Sequence, residues 1–264
     1  MTVCIAAICD NGNTIIGVAD RMLTAGGILE VEHDRPKIDV FDGKHVMMSA
    51  GDALVGTDIK ADGLRQLPQG ATDVSSSVGA LERAYANTRR RVVDLRVLGA
   101  FCYTLDHFQQ EGLKQLGPQM FAGILQRVEQ FNLGADFIVA GFDGTTGRIA
   151  IIDNPGVFHW LDRVGFATIG SGSSHASTTL LAAGYSTKLP LKHALFEMYA
   201  AKRIAERAPG VGQQTDIVVL THDQPMRWAT PEALEALDKL HAEQMKSRGT
   251  VDASEVATKF KEAQ

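Results

Sequence analysis

Thr2-Val3-Cys4-Ile5-Ala6-Ala7-Ile8-Cys9-Asp10-Asn11-Gly12-Asn13-Thr14-Ile15-Ile16-Gly17-Val18-Ala19-Asp20 is the stretch from which the fold is read. Its first half is β-branched and small apolar residues. A polar cluster holding Asn-Gly interrupts it, and a second apolar run follows. Two short runs separated by such a turn signal predict a hairpin of antiparallel strands.

Strand-like stretches continue at 28–32, 37–41 and 44–50, with turn signals at Asp34-Arg35-Pro36 and Asp42-Gly43. Helical spacing then takes over at 73–98, through Val74, Val78, Leu81, Tyr85, Val92, Leu95 and Leu98, with Asp73 or Ser75 as cap. A second helical region is predicted at 106–131, broken near Gly117-Pro118. Strands return at 135–142 and 148–153, and a further strand pair is predicted at 157–161 and 165–170. Helices at 173–185 and 190–207 precede a buried strand, Thr-Asp-Ile-Val-Val-Leu-Thr at 215–221. Thr230-Pro231-Glu232-Ala233 opens a last helix, threonine as N-cap and proline at the first helical position.

Strands in groups, rather than alternating with helices, argue against a doubly wound parallel sheet. The order predicts an α+β fold: two antiparallel sheets packed face to face, helices covering both outer faces, a four-layer αββα sandwich. One domain is expected over 2–246, followed by a polar tail at 247–264.

The chain has 264 residues, 45% hydrophobic and 22% charged, enough to bury a core without disulfides or metals. A net charge of −5 gives no basic field for nucleic acid. Arg89-Arg90-Arg91 reads as a solvated helix face. Three cysteines, an odd number, suit a reducing compartment. Cys4 and Cys9 would point to opposite faces of one strand, and all three thiols, Cys102 included, read as buried and inert. The start shows no charged n-region, and no apolar run reaches membrane length, so a cytoplasmic, soluble protein is expected. The histidines are scattered without a ligand pattern; no metal or cofactor is expected.

Chemistry starts at residue 2. Removal of Met1 would leave Thr2 with a free α-amine, which titrates near pH 8 in peptides. A threonine hydroxyl needs a base within reach, and an N-terminal threonine carries its own. Val18-Ala19-Asp20-Arg21-Met22-Leu23-Thr24-Ala25-Gly26 follows the hairpin, with Lys37 after it and Met48-Ser49-Ala50-Gly51-Asp52-Ala53 closing the strand-rich region. Thr168-Ile169-Gly170-Ser171-Gly172-Ser173 marks a later strand-to-helix junction, and Ala200-Ala201-Lys202-Arg203 precedes Thr215-Asp216-Ile217-Val218-Val219. Taken singly, Asp20 and Lys37 would be ordinary surface charges, and Gly170-Ser171-Gly172 a phosphate-cradling turn without the P-loop lysine.

In this order and spacing the motifs resemble the β-type subunits of the proteasome and their bacterial relatives, over roughly residues 2–240. The resemblance implies the N-terminal-nucleophile hydrolase fold and peptide-bond hydrolysis through an acyl-enzyme. It implies that Thr2 is the nucleophile, Lys37 the cation lowering its pKa, and Asp20 the carboxylate orienting Lys37. Ser171 would sit near the terminal amine, and the Gly51 N–H would serve the oxyanion. Thr24 would pair with an extended substrate strand, while Leu23, Ser49 and Ala53 would line the pocket beside the cleaved bond. A peptide or protein substrate, assembly of like subunits into a ring or related homo-oligomer, and a regulatory ATPase as partner belong to the same implication. A non-catalytic or latent structural subunit and a small-amide amidohydrolase are the alternatives on the same fold.

The chain departs from the family in three places. Where the family has Asp-X-X-Ser-Gly-Gly, this sequence has Glu206-Arg207-Ala208-Pro209-Gly210-Val211-Gly212; Glu206 can replace the aspartate, but Pro209 has no hydroxyl. The arginine after Asp20 comes one position early, at Arg21. The helical region at 73–131 is longer than in typical β subunits.

Overall fold

The computed structural model describes residues 2–25, 29–32, 34, 36–41 and 44–247. The turn expected at Asp42-Gly43, residue 28, Arg35 and the tail beyond Ser247 lie outside these. The first unit, ending at Ala229, opens with β1 (Cys4–Cys9) and β2 (Thr14–Asp20). Then come β3 (Met22–Ala25), β4 (Leu29–Glu32), β5 (Ile38–Phe41) and β6 (His45–Gly51). Helices α1 (Ala53–Gln66), α2 (Val74–Val93) and α3 (Leu105–Glu129) separate these from β7 (Ala135–Asp143), β8 (Thr146–Asp153), β9 (Val157–Trp160) and β10 (Phe166–Ile169). The unit ends with α4 (Ser173–Ala182), α5 (Leu191–Ala205), β11 (Thr215–Thr221) and β12 (Arg227–Trp228). The second unit, from Thr230 onward, is described as α6 (Pro231–Ser247), whose Ala233 amide donates to the Thr230 hydroxyl at 3.3 Å, as its N-cap requires.

One sheet has the order β10-β1-β2-β11-β12 and the other β5-β6-β7-β8-β9, every pairing antiparallel. The opening hairpin forms as read, with Cys4 opposite Ala19 and Cys9 opposite Thr14. Between the sheets lies a core of Ala6, Ile8, Ile15 and Val218 from one and Met48, Ile138, Ala140 and Ile149 from the other. Alternation puts Ile5 and Ala7 on the opposite face of β1, where they are just as buried. Strands covered on both faces explain why the hairpin reads as continuous apolar runs. Ile59 of α1 and Val78, Leu81 and Tyr85 of α2 pack on Met47, Phe137, Val139 and Ile152 of the second sheet. Helices α4 and α5 cover the first sheet against β10, β1 and β2. The α+β four-layer sandwich is the architecture of this unit.

Several local expectations change. Helix α1 was not legible: its only buried residues are Gly56, Ile59 and Gly63, so it shows no apolar stripe, and its start is fixed by the Asp52 carboxylate accepting the Leu54 and Val55 amides. The strands at 157–160 and 166–169 do not pair with each other; β9 extends the second sheet beside β8, and β10 joins the first beside β1. Arg89-Arg90-Arg91 is a set of ties rather than a free face. Arg89 donates to the Val128 and Phe131 carbonyls at the end of α3, Arg90 pairs with Asp106 and Arg91 with Asp58. Cys4 and Cys9 are buried, but Cys102 is exposed, in a left-handed turn at φ 58°. Helix α3 bends where read, at Gly117 (φ 75°) before Pro118. Among the described residues no helix is long and apolar enough to cross a membrane.

Candidate active site

Hairpin register brings the chain's start beside the end of β2. With Cys4 opposite Ala19, residues 2 and 3 run alongside Asp20, whose amide donates to the Val3 carbonyl at 3.2 Å. Asp20 is fully buried, and its carboxylate is saturated by donors. Oδ1 accepts the Val3 amide at 2.9 Å, the Lys37 ammonium at 2.8 Å and the Thr2 hydroxyl. Oδ2 accepts the Met22 amide at 3.0 Å and the Gly212 amide at 2.9 Å. A buried charge needs this many partners, because an uncompensated carboxylate in a protein interior is strongly disfavoured.

Lys37 precedes β5 and reaches across, its Nζ donating to Thr2 Oγ1 as well as to Asp20. The Thr2 hydroxyl thus accepts from an ammonium and donates to a carboxylate, an arrangement that polarises the oxygen. Its nitrogen donates to Ser171 Oγ at 3.2 Å. The Ser171 hydroxyl lies 3.3 Å from the Thr2 carbonyl and 3.2 Å from the Pro209 carbonyl as acceptors. Gly172 N donates to the same Thr2 carbonyl at 3.1 Å. Gly170 has φ 91°, and a Cβ there would run into that carbonyl, so only glycine lets β10 turn this close to residue 2.

Gly51 ends β6 at φ 97°, where a Cβ would collide with the Gly134 carbonyl. Ser49, two residues earlier, accepts the Cys4 thiol on its carbonyl at 3.6 Å. Burial, outweighing the nearby Lys37 charge, pushes the Cys4 thiol up to about 12, so it stays protonated. Ala53 begins α1, and Gly56 one turn on lies against the Ser49 side chain. Leu23 and Thr24 lie on the β3–β4 ribbon, opposite Val31 and Glu30, on the segment leaving the Met22 amide that binds Asp20.

Thr2, Asp20, Lys37 and Ser171 are therefore one contact cluster. Gly51, Ser49 and Ala53 follow one another along the end of β6 and the start of α1, and Leu23 and Thr24 lie on the ribbon.

The departures resolve individually. Glu206 does not reach Thr2: it pairs with Lys202 at 2.6 Å and Arg203 at 3.2 Å. Pro209 takes part through its carbonyl instead of a hydroxyl. Arg21 clamps Asp216 with two bonds, at 2.9 and 2.5 Å, fixing β2 to β11 beside Asp20. The sequence reading missed Gly212 and Lys202. Nothing distinguishes Gly212 in a glycine-rich loop. Lys202 had a signal: it follows Ala194 and Met198 at four-residue steps, on the buried stripe of α5.

Two face-to-face antiparallel sheets between helical layers are the architecture of the N-terminal-nucleophile hydrolase fold. A solved protein of this proteasome-like fold, the Gly-1 mutant of Anbu from Hyphomicrobium sp. strain MC1, is similar over 100% of both chains with a TM-score of 0.63. Sequence identity is 16%, so the likeness is one of fold. No protein-family model matches the chain, and no curated protein matches it.

Proposed function

We propose that this chain is an N-terminal threonine hydrolase of the proteasome β type, cleaving peptide bonds through an acyl-enzyme on Thr2. The observation that carries the reading is the Thr2 hydroxyl held between the Lys37 ammonium and the Asp20 carboxylate, its own nitrogen against Ser171. With Met1 removed that nitrogen is an amine. Ser171 has carbonyl acceptors for its hydrogen, so its oxygen can accept from the amine and leave the nitrogen lone pair free as base.

Thr2 Oγ1 then attacks the substrate carbonyl, and its proton passes to the amine. The Gly51 N–H stabilises the oxyanion. Collapse breaks the C–N bond as the amine returns the proton to the leaving nitrogen, giving an ester on Thr2. Water cleaves that ester, releasing the acid and restoring the hydroxyl. Lys37 holds the field, Asp20 holds Lys37, and the ribbon at Leu23 and Thr24 pairs with an extended peptide by strand addition. Small side chains at Ser49 and Ala53 leave room for a large residue. Assembly into a homo-oligomeric ring or related form, and control by an ATPase, belong to the proposal.

The test is a threonine-directed epoxyketone followed by adduct mapping. A morpholine-type adduct on Thr2 requires hydroxyl and free amine together; no adduct on protein shown to lack Met1 overturns the reading. One observation favours a second reading, a latent subunit: Glu206 is held by Lys202 and Arg203, so no carboxylate from that loop supports the amine. Mass measurement of the N-terminus separates the two, since retained Met1 blocks the amine.

A further inference from the structure

The loop joining α5 to β11 touches the cluster from behind. Its Pro209 carbonyl accepts the Ser171 hydroxyl, and its Gly212 amide donates to Asp20 Oδ2. Something must fix this loop, because its sequence from Ala208 to Gln214 forms no helix or strand. Two contacts do so. The Glu32 carboxylate of β4 accepts the Gln214 amide at 3.0 Å. From the other side Lys202, fully buried on α5, donates through Nζ to the Gln213 carbonyl at 2.7 Å and pairs with Glu206 at 2.6 Å.

A buried lysine is an expensive way to hold a loop. Burial draws its pKa down, against the pull of Glu206 and Asp20 upward. A neutral residue able to donate one hydrogen bond would suffice if attachment were the whole role. What a neutral residue would not supply is a positive charge behind Asp20. Lys202 and Asp20 bind adjacent residues of the loop, Lys202 the Gln213 carbonyl and Asp20 the Gly212 amide, with Glu206 and Arg203 on the lysine's own helix. Lys37 and the backbone amides of Val3, Met22 and Gly212 donate to the Asp20 carboxylate. Glu32 faces the loop from β4, and Arg21 with Asp216 borders Asp20 on β2 and β11.

We infer that Lys202 is a positioning residue for the proposed reaction: it locks the 206–214 loop so that Gly212 N–H and the Pro209 carbonyl meet Asp20 and Ser171, and its charge, paired with Glu206, sits behind the loop that binds Asp20. In this chain the role that the resemblance gives to an aspartate and a serine hydroxyl falls to a lysine, a carbonyl and an amide. The inference rests on the proposed function. It names a residue that touches neither substrate nor nucleophile.

The experiment uses full-length protein with Met1 removed and the variants Lys202→Met and Lys202→Gln. Two readouts are taken: the pH dependence of Thr2 modification by the epoxyketone, and amide hydrogen exchange of residues 206–214. Lys202→Met is expected to slow modification at least tenfold at neutral pH. Loss of a cation favours the protonated amine, so the acidic limb of the profile moves to higher pH. Exchange at Gly212 and Gln214 is expected to rise at least tenfold. Lys202→Gln, which can still donate to the Gln213 carbonyl, is expected to shift the profile with a smaller rise in exchange, and it is read alone if the methionine variant does not fold. A folded variant with unmoved profile and unchanged exchange overturns the inference. A slower rate without a profile shift reduces Lys202 to scaffolding and overturns the electrostatic half. Wild-type protein that does not react at Thr2 overturns the proposed function instead, and exchange then decides the loop-locking half alone.

Discussion

Lys37 Nζ lies 2.8 Å from Asp20 Oδ1, the lysine side chain 9% exposed and the aspartate fully buried. Removing one partner of a buried pair strands the other. Lys37→Ala is expected to cost about 3–5 kcal/mol of stability, moderated by the amides that remain on Asp20. Hydrolysis is expected to fall by about 10²–10⁴, the usual worth of a group that assists proton transfer. Denaturant unfolding and turnover of a fluorogenic peptide measure the two separately. A mild effect on both would remove Lys37 from the site.

Thr2→Ala deletes a hydroxyl and a methyl group at a buried position, 2% exposed. The Val3, Met22, Gly212 and Lys37 bonds to Asp20 survive it, so the circular dichroism spectrum should be unchanged. Turnover should vanish. Thr2→Ser keeps the oxygen and should retain part of the rate; a Thr2→Ala protein as active as wild type sinks the nucleophile assignment.

Cysteine reactivity should split sharply. Reaction needs the thiolate, and burial holds both Cys4 and Cys9 up at about 12. Iodoacetamide at pH 8 is expected to label exposed Cys102 and leave Cys4 and Cys9 untouched until the protein unfolds. Peptide mapping gives the answer, and it serves as the selectivity control for any electrophile aimed at Thr2, two residues from Cys4.

Gly51→Ala forces a side chain into a φ of 97° and against the Gly134 carbonyl. The backbone strain alone is about 1–3 kcal/mol. Relief requires moving the end of β6, which carries the amide proposed to bind the oxyanion. The expected result is a lower Tm together with a fall in kcat larger than any change in KM.

Acid stability should report on Asp143. Burial pushes its carboxyl up, but the Ser75 hydroxyl and amide and the Arg148 guanidinium outweigh this, and its pKa lies below the ordinary value. A depressed carboxylate stabilises the fold above its unfolded pKa, about 4, and this contribution is lost as pH falls through the lower folded value. Ser75→Ala is expected to cost about 1 kcal/mol at pH 7. The gap between variant and wild type should shrink as pH drops below 4 in urea unfolding curves.

The sheets were legible because apolar runs separated by turn signals carry their information locally. Ile5 to Ile8, Ile15 to Val18 and Ile217 to Leu220 each announce a covered strand. Helix α1 was not legible because two of its three buried positions are glycines, which leave no mark in an apolar pattern. The mispaired strands at 157–160 and 166–169 show a second limit: proximity in sequence suggests a hairpin, while the sheet a strand joins is decided by packing partners far away. At the candidate site, Thr2, Asp20, Lys37 and Ser171 were singled out by their order along the chain, and the fold brings them into contact. Gly212 escaped because its contribution is a backbone amide, which every residue but proline possesses.

Strand β1 lies inside its sheet, between β2 and β10, although β10 follows it far along the chain. Its hairpin partner is available within a few residues of synthesis, but the second edge waits for Phe166 to Ile169. Until those residues leave the ribosome, β1 keeps one bare edge in the nascent chain, although the strands of the covering sheet, from Ile38 to Trp160, are made before them. Such an edge pairs readily with any neighbour that offers one. Chain order thus leaves one edge of a core strand open until most of the unit has been made, and that edge is where a neighbouring chain would pair during synthesis.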